Sequence, residues 1–441
     1  MATRIAPLSG FPEYLPAGRV VEQRVLDALR ETFELHGFAG VQTRSVEPLA
    51  QLARKGEITK EVYAVRRLHA AEDAADELGL HFDLTVPFAR YVLENGGRLE
   101  FPFRRYQIQP AWRGERPQEG RYREFWQADI DIVGAGQLAP HHDAEVALVM
   151  CEALGRLHDD FGLPTALMRV NNRKLAQGFY TGLGVADPMA AIQAVDKLDK
   201  VGEAVVAEML AAQGCDQRQT GAILALAAIC TTDASFVDQV RALGVANELL
   251  ETGLGELAAL LGQVAARFPG RVVADMKVAR GLDYYTGSVF EVALDGMPNL
   301  GTVAGGGRYD SLATDGNKTY PGVGISFGIT RVLAPLISRG VLTASRPVPS
   351  AVLVAVDDEA SRGVANQVAL ALRASGIACE VSPDSPVYGK QIKFADRRGI
   401  PYVWFGGVDG QVKDIRSGEQ AEANAGTWRP PASDARPAVV R

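Results

Sequence analysis

The stretch Trp112–Gly134, WRGERPQEGRYREFWQADIDIVG, reads as two strands joined by a charged loop. Successive side chains of a strand point to opposite faces. On the second strand Tyr122, Trp126, Ala128, Ile130 and Ile132 are largely apolar, whereas Phe125, Gln127, Asp129 and Asp131 fall on the other parity. One face is therefore predicted to pack and the other to present chemistry. Arg113 and Glu115 share a parity on the incoming strand. Gly114, Pro117 and Gly120 supply turn geometry, and Arg116, Arg121 and Arg123 supply guanidinium forks suited to phosphate. The loop lacks the pattern of a phosphate-binding glycine loop.

Outward from this hairpin, four more stretches carry polar residues in apolar settings. Phe82–Tyr91, FDLTVPFARY, holds Asp83 and Thr85 at a spacing that would put both on one face of a strand, the plain alternative being an Asp that caps a turn. Arg280–Glu291, RGLDYYTGSVFE, and Ala304–Asp310, AGGGRYD, return to strand periodicity. Their tyrosines taken singly are ordinary core residues. The triple glycine is followed by no Lys-Ser/Thr pair, so close backbone approach to a ligand is expected rather than a nucleotide loop. Gly322–Arg331, GVGISFGITR, runs from strand to helix. Ile329, Val332, Leu333, Leu336 and Ile337 line one helical face, and Arg331 lies off it near the positive helix end.

The chain has 441 residues, more than one hydrophobic core usually serves, so two or three domains are expected. Its four cysteines, Cys151, Cys215, Cys230 and Cys379, have no paired close spacing; neither a disulfide framework nor a zinc site is suggested, and a reducing cytoplasm fits. The N-terminus has no apolar signal region and no stretch approaches about 20 continuous apolar residues, so neither secretion nor a membrane partner is expected. A net charge of -7 argues against broad nucleic-acid binding while leaving room for a local basic surface.

Val20–Glu34 has the apolar spacing of a buried helix face, ended at Gly37, and the following segment passes from a short strand through Pro48 to a helix. His69–Leu80 reads as a solvated helix or loop. His141, His142, Asp143 and Glu145 invite a metal reading, but adjacent histidines cannot both face one ion from a helix, so a helix N-terminus is the better account and no metal ligand is assigned. After Arg169–Leu175, RVNNRKL, the chain is helical in pattern to about Phe268. Past Pro347–Pro349, strand and helix alternate in a small α/β domain, where Lys390, Lys393 and Arg397 share one helical face. The tail beyond Gln420 is rich in proline and predicted to be disordered.

The hairpin run from Arg113 through Glu115, Arg121, Phe125, Gln127 and Asp131 resembles motif 2 of class II aminoacyl-tRNA synthetases, and RGLDYYTGSVFE with AGGGRYD resembles the two signatures of the histidyl-tRNA synthetase family. GVGISFGITR resembles motif 3, and the likeness extends from Gly10 to about Gln420. It implies an α+β fold, with the class II antiparallel sheet flanked by helices, a helical insertion and a C-terminal α/β anticodon-binding domain. The boundaries expected are 1–175 and 269–342 for the two parts of the catalytic core, 176–268 for the insertion, 349–425 for the anticodon-binding domain and 426–441 for the tail.

By the same resemblance, the substrates would be L-histidine, ATP and tRNA(His), with Mg2+ accompanying the pyrophosphate, and motif 1 would pair two subunits in a homodimer. Arg113 and Arg280 would be catalytic, meeting charge at the α-phosphate. Glu115, Arg121, Phe125 and Arg331 would bind ATP with Arg113. Asp83, Thr85 and Gln127 would hold the α-amino group, and Asp131, Tyr285 and Tyr309 the imidazole, with Tyr284 shaping the pocket. Asp83 stands where many bacterial relatives have Glu, in a DLTVPFAR run that resembles the eukaryotic pattern. Two other readings are a non-catalytic histidine-binding regulatory paralogue serving histidine biosynthesis, and an adenylating enzyme with another acceptor. The arginines and the appended α/β domain count against the first, and the appended domain modestly against the second.

Overall fold

The computed structural model describes residues 6–53, 61–69, 77–279 and 284–441. They separate into two compact units, one of Met1–Pro12 and Asp27–Pro335, the other of Glu13–Leu26 and Leu336–Arg441.

The first unit is built on a nine-stranded sheet. Its strands are β1 (Ala39–Gly40), β5 (Phe103–Trp112), β6 (Glu124–Val133), β7 (Ala166–Asn172), β8 (Cys230–Thr231), β9 (Val272–Asp275), β10 (Tyr285–Leu294), β11 (Ala304–Tyr309) and β12 (Gly322–Gly328), in the order β1-β5-β6-β12-β11-β10-β7-β9-β8. The five neighbouring pairs from β5 to β7 are all antiparallel. Their even-numbered positions on β6, Ala128, Ile130 and Ile132, are fully buried. Helix α4 (His141–Phe161) packs against this layer, touching β6, β12 and β7. It begins at His141 itself, where His142 Nδ1 lies 2.7 Å from Glu145.

A three-stranded sheet of β2 (Val46–Pro48), β3 (Ala64–Val65) and β4 (Leu78–Leu80) sits beside helices α2 (Leu49–Leu52) and α3 (Thr85–Asn95). Two expectations change here. Part of His69–Leu80 is strand β4, paired with β2 and β3, rather than solvated helix or loop. FDLTVPFARY is the start of α3, because Val86, Phe88, Ala89 and Val92 fall on one buried helical face and Pro87 is tolerated in a first turn.

Between β7 and β9 lie α5 (Arg173–Gly182), α6 (Pro188–Val195), α7 (Leu198–Val201), α8 (Glu203–Ala212), α9 (Gln217–Ala227), α10 (Phe236–Ala242) and α11 (Glu248–Arg267), with β8 as a short strand among them. Side-chain caps start several of these: Asp187 accepts from Met189 and Ala190, and Asp216 with Gln219 forms a capping box. By length and composition α11 is apolar enough to cross a membrane, although Glu251 and Glu256 keep it from being a continuous apolar run. Its Leu250, Leu254, Leu257 and Leu261 are buried, and it packs along α5 and α4, as a core helix does.

α1 (Pro16–Leu35) buries Val21, Val25, Leu26, Leu29 and Phe33, and α12 (Ile329–Ser338) follows β12 directly.

In the second unit, β14 (Val352–Val354) lies between β15 (Cys379–Val381) and β16 (Tyr402–Gly406) in parallel, and β17 (Asp409–Asp414) and β18 (Gln420–Asn424) extend the sheet antiparallel. Helices α13 (Arg362–Ala374) and α14 (Tyr388–Arg397) supply apolar partners such as Val368 and Leu372 from α13 and Ala395 from α14. Besides Glu13–Leu26 the unit runs from Leu336, so Pro347–Pro349 lies inside it. The tail is ordered instead of disordered. Trp428 sits 5.2 Å from Tyr402 ring to ring, Asp434 near α15 (Ala432–Ala435) pairs with Arg416 at 2.7 Å, and β19 (Val439–Val440) pairs with β13 (Thr343–Ala344). One aromatic and one ion-paired anchor outweigh the low hydrophobicity of the segment.

Candidate active site

The register of β6 builds the floor. Arg105, Gln107 and Gln109 of β5 stand opposite Asp131, Asp129 and Gln127, and Gly324, Ser326 and Gly328 of β12 stand opposite the same three from the other side. All belong to one face. The β5 row is sealed: Gln107 Nε2 donates to Thr43 Oγ1 at 2.9 Å and to Gln109 Oε1 at 2.8 Å, and Gln109 Nε2 donates to the Thr43 carbonyl at 2.9 Å. The β6 row opens instead on a cavity of about 370 Å3. Glycine makes the opening possible, since a Cβ at Gly324 would stand 2.1 Å from Asp131 Oδ1. All three glycines of β11 line the cavity, where a ligand could approach their backbone, and packing adds a second demand at two of them. A Cβ at Gly306 would meet the Gly324 carbonyl at 1.9 Å and one at Gly307 the Tyr285 ring at 2.6 Å, so neighbouring protein atoms already demand these residues.

At one end of the cavity, Tyr309 donates to Asp131 Oδ1 at 2.7 Å, and Arg105 pairs with Asp131 Oδ2 at 2.6 Å. Tyr285 is the register partner of Tyr309, and the Tyr284 hydroxyl donates to that of Tyr285 at 3.2 Å. At the other end, Arg113 Nε donates to the Phe82 carbonyl at 3.0 Å and its guanidinium lies 5.2 Å from the Phe125 ring centre. β5 ends at Trp112, so Arg113 and Glu115 stand in the loop and not on the strand, as their shared parity had suggested. Arg121 Nη1 donates to Glu115 Oε2 at 3.0 Å. Arg331, in the first turn of α12, donates from Nε to the Leu300 carbonyl at 2.8 Å. The same turn is tied to β6 by the Trp126 N–H, which donates to Thr330 Oγ1 at 2.8 Å.

Asp83, Thr85, Arg113, Glu115, Arg121, Phe125, Gln127, Asp131, Tyr284, Tyr285, Tyr309 and Arg331 all line this one cavity. Arg280 lies outside the described residues. Asp83 and Thr85 arrive by helix initiation rather than strand alternation: Asp83 Oδ1 accepts from the Val86 N–H at 3.1 Å, tying the first turn of α3. The sequence reading placed Asp129 on the chemical face but named it for no role, and it passed over Arg105 and Ser326. Asp129 carried a signal in its parity with Gln127 and Asp131; the other two carried none until β5 and β12 were paired with β6.

Burial dominates the electrostatics of the floor. It pushes the Asp129 carboxyl up to about 7; the Arg105 guanidinium counters this, while Asp131 and Asp83 add to it as like charges and Ser326 hydrogen bonding opposes it. The Tyr309 hydroxyl is also raised, by burial and then by Asp131. Among the described residues no group of three or more His, Cys, Asp or Glu could hold a metal ion. At the arginine-lined end the carboxylate of Glu115 is already engaged by Arg121. The donor set therefore does not make a magnesium cage, and suits phosphate oxygens.

A family model described as Histidyl-tRNA synthetase matches residues 10–332. The chain is 60% identical to a histidine–tRNA ligase of Cutibacterium acnes, covering 99% of each chain, and 56% identical to one of Micrococcus luteus, covering 100% of this chain and 99% of that one. A crystal structure of histidyl-tRNA synthetase from Nostoc sp. PCC 7120 superposes with a TM-score of 0.83 at 32% identity, over 96% of this chain and 97% of the other. With its polar floor, its tyrosine wall and its arginine-lined mouth gathered on one antiparallel sheet, the chain belongs to the histidyl-tRNA synthetase family.

Proposed function

We propose that this protein activates L-histidine with ATP and transfers the histidyl group to tRNA(His). The observation that carries the reading is the order of groups along one cavity: tyrosines and Asp131 at one end, arginines at the other. In the first step a histidine carboxylate oxygen attacks the α-phosphorus of ATP and the bond to pyrophosphate breaks. Charge moves onto phosphate oxygens, which fixed guanidinium groups stabilise without reorganising. Arg113 bridges the amino-acid carboxylate and the α-phosphate, Arg280 contacts the α-phosphate from the opposite side, and Arg121 and Arg331 hold the outer phosphates. Glu115 accepts from the adenine amino group once Arg121 has turned to phosphate, and Phe125 stacks on the ring. In the second step a hydroxyl at the tRNA 3′ end attacks the acyl carbon and AMP leaves. Magnesium would come with the ATP phosphates and supply counter-charge to them, the arginines of this chain meeting the oxygens that it leaves uncovered.

Selection of histidine rests on partners for both imidazole nitrogens. Asp131, Tyr285 and Tyr309 provide them, Tyr284 shapes the wall, and Asp83, Thr85 and Gln127 take the α-amino group. A site with obligate polar partners rejects apolar isosteres far more strongly than shape alone does. The described residues 349–425, with exposed Lys390, Lys393 and Arg397 on α14, form the anticodon-binding part, and 176–268 is a helical insertion. The functional form is a cytoplasmic homodimer paired through the Val20–Leu52 region, where the resemblance places motif 1; a monomer mass in sedimentation at micromolar concentration would refute the dimer.

Histidine-dependent exchange of labelled pyrophosphate into ATP tests the first step, and charging of purified tRNA the second. Absence of exchange would favour the regulatory paralogue. Exchange without charging would favour an adenylating enzyme with another acceptor.

A further inference from the structure

We propose that Asp129 is a further histidine ligand, a carboxylate that with Gln127 Oε1 accepts hydrogen bonds from the α-ammonium of the substrate. The inference rests on the histidine reading above. Gln127 Nε2 donates to Ser326 Oγ at 2.6 Å, which fixes the amide and leaves Oε1 as its remaining acceptor. Neither Gln127 Oε1 nor Asp129 Oδ1 has a hydrogen-bond partner among the described residues, although both atoms are buried and both residues line the cavity. Buried acceptors without donors are rare and costly in a finished fold, so two neighbours on one strand face mark a place for a donor.

Asp131, Asp83 and Asp129 each have at least one protein partner, Asp129 through Ser326, and on the strand face it is Asp129 Oδ1 that is left over. Asp131 receives Tyr309 on Oδ1 and Arg105 on Oδ2, and Asp83 ties the first turn of α3. Arg105, the guanidinium buried beneath them, stands 2.6 Å from Asp131 and 4.0 Å from Asp129, so one cation is shared by two carboxylates while Asp83 adds a third negative group facing the same space. An incoming ammonium supplies both the missing charge and N–H donors, and has no acceptor to leave unpaired. An imidazole would satisfy the pair less well, because its two nitrogens are met at the tyrosine end. Asp129 thereby recognises an amino acid as such, and Asp131 with the tyrosines recognises its side chain.

The test is a ligand series on full-length protein: L-histidine, histidinol, which keeps the α-ammonium and lacks the carboxylate, and imidazolepropionate, which lacks the α-ammonium. For Asp129→Asn, binding of histidine and histidinol should weaken about 10- to 100-fold, the size of one charge-assisted hydrogen bond, with imidazolepropionate changed less than about 3-fold. In pyrophosphate exchange the loss should fall on the KM for histidine, with kcat kept within about 5-fold. Equal weakening of all three ligands would make Asp129 merely structural, and no weakening would remove it from the site; either overturns the proposal. Failure of the unaltered protein to bind histidine would instead refute the functional reading. Asp129→Ser, smaller and uncharged, should reproduce the same ligand order. If neither variant folds, the unaltered protein still decides. Its preference for histidinol over imidazolepropionate should rise between pH 6 and 8 once the ligands' own titrations are removed, and a flat preference overturns the proposal.

Discussion

The two large sheets bury both faces of a central strand, yet they are made of opposite materials. In the second unit Val352, Leu353 and Val354 are all fully buried, with Val352 and Val354 in the cluster around α13 and Leu353 in the one that includes Ala395 of α14. In the first unit β6 buries Ala128, Ile130 and Ile132 on one face and Gln127, Asp129 and Asp131, each less than a tenth exposed, on the other. A strand covered on both sides normally reads as an apolar run, as AVLVAV does. A buried face that stays polar is retained against its desolvation cost, and around β6 the compensation comes from Arg105, Tyr309 and Ser326 together with a cavity for a ligand. The contrast separates a sheet built for stability from one built for chemistry.

The largest effect should follow from making the apolar sheet resemble the polar one. Leu353→Asp places an uncompensated carboxylate at a fully buried position, and should destabilise the second unit by about 4 kcal/mol or more. Limited proteolysis should then cut within 336–441 while histidine-dependent exchange persists; loss of both together would tie the two units into one cooperative structure. Next in size, Arg113→Ala should slow adenylation about 100- to 1,000-fold with little change in melting temperature, since it removes one fixed donor to a developing oxyanion. Single-turnover measurements would read it, and equal slowing of transfer from preformed adenylate would make Arg113 a structural residue.

A smaller effect should have the opposite sign on stability. The folded Asp129 carboxyl is raised from 3.8 to about 7, so the fold favours its protonated form. Below both values the folded and unfolded chains bind this proton alike. As pH rises between them the unfolded chain releases it first and stability falls, and above about 7 the penalty is complete. Asp129→Asn should therefore stabilise the histidine-free protein at pH 8 by on the order of 2–4 kcal/mol, with the gain shrinking toward zero near pH 4. Denaturant titrations at several pH values would show it, and a destabilised Asn variant at pH 8 would mean that the carboxylate is satisfied within the protein. Smallest, Gly324→Ala should displace Asp131, whose Oδ1 lies 2.1 Å from the added Cβ, press on the Ile130 carbonyl at 2.6 Å, and raise the KM for histidine about 10-fold through a strain of about 1–3 kcal/mol. An unchanged KM would show that Asp131 moves without consequence.

Much of this was legible because it is local. The alternation of β6, the buried stripes of α1 and α12 and the strand-helix rhythm after Val352 are periodicities of neighbouring residues, and the signature runs placed every described candidate on one cavity. Local reading failed where a competing local rule won, as when Asp83 and Thr85 fitted a period of two and the apolar set Val86, Ala89 and Val92 imposed a helix. It failed also for the tail, whose composition was outweighed by contacts of Trp428 with Tyr402 and of Asp434 with Arg416.

By itself the sequence determined which side chains of β6 share a face, which helices are amphipathic, and to which family the chain is similar. Only the tertiary structure decided that the polar face is covered, that β5 is sealed by Thr43 while β6 stays open, and that Asp129 keeps an acceptor without a donor. The reason is distance along the chain. Periodicity is set by bonds between adjacent residues, whereas the partners of Asp129 and Asp131 come from strands and turns up to about 200 residues away, and burial exists only once those segments have met.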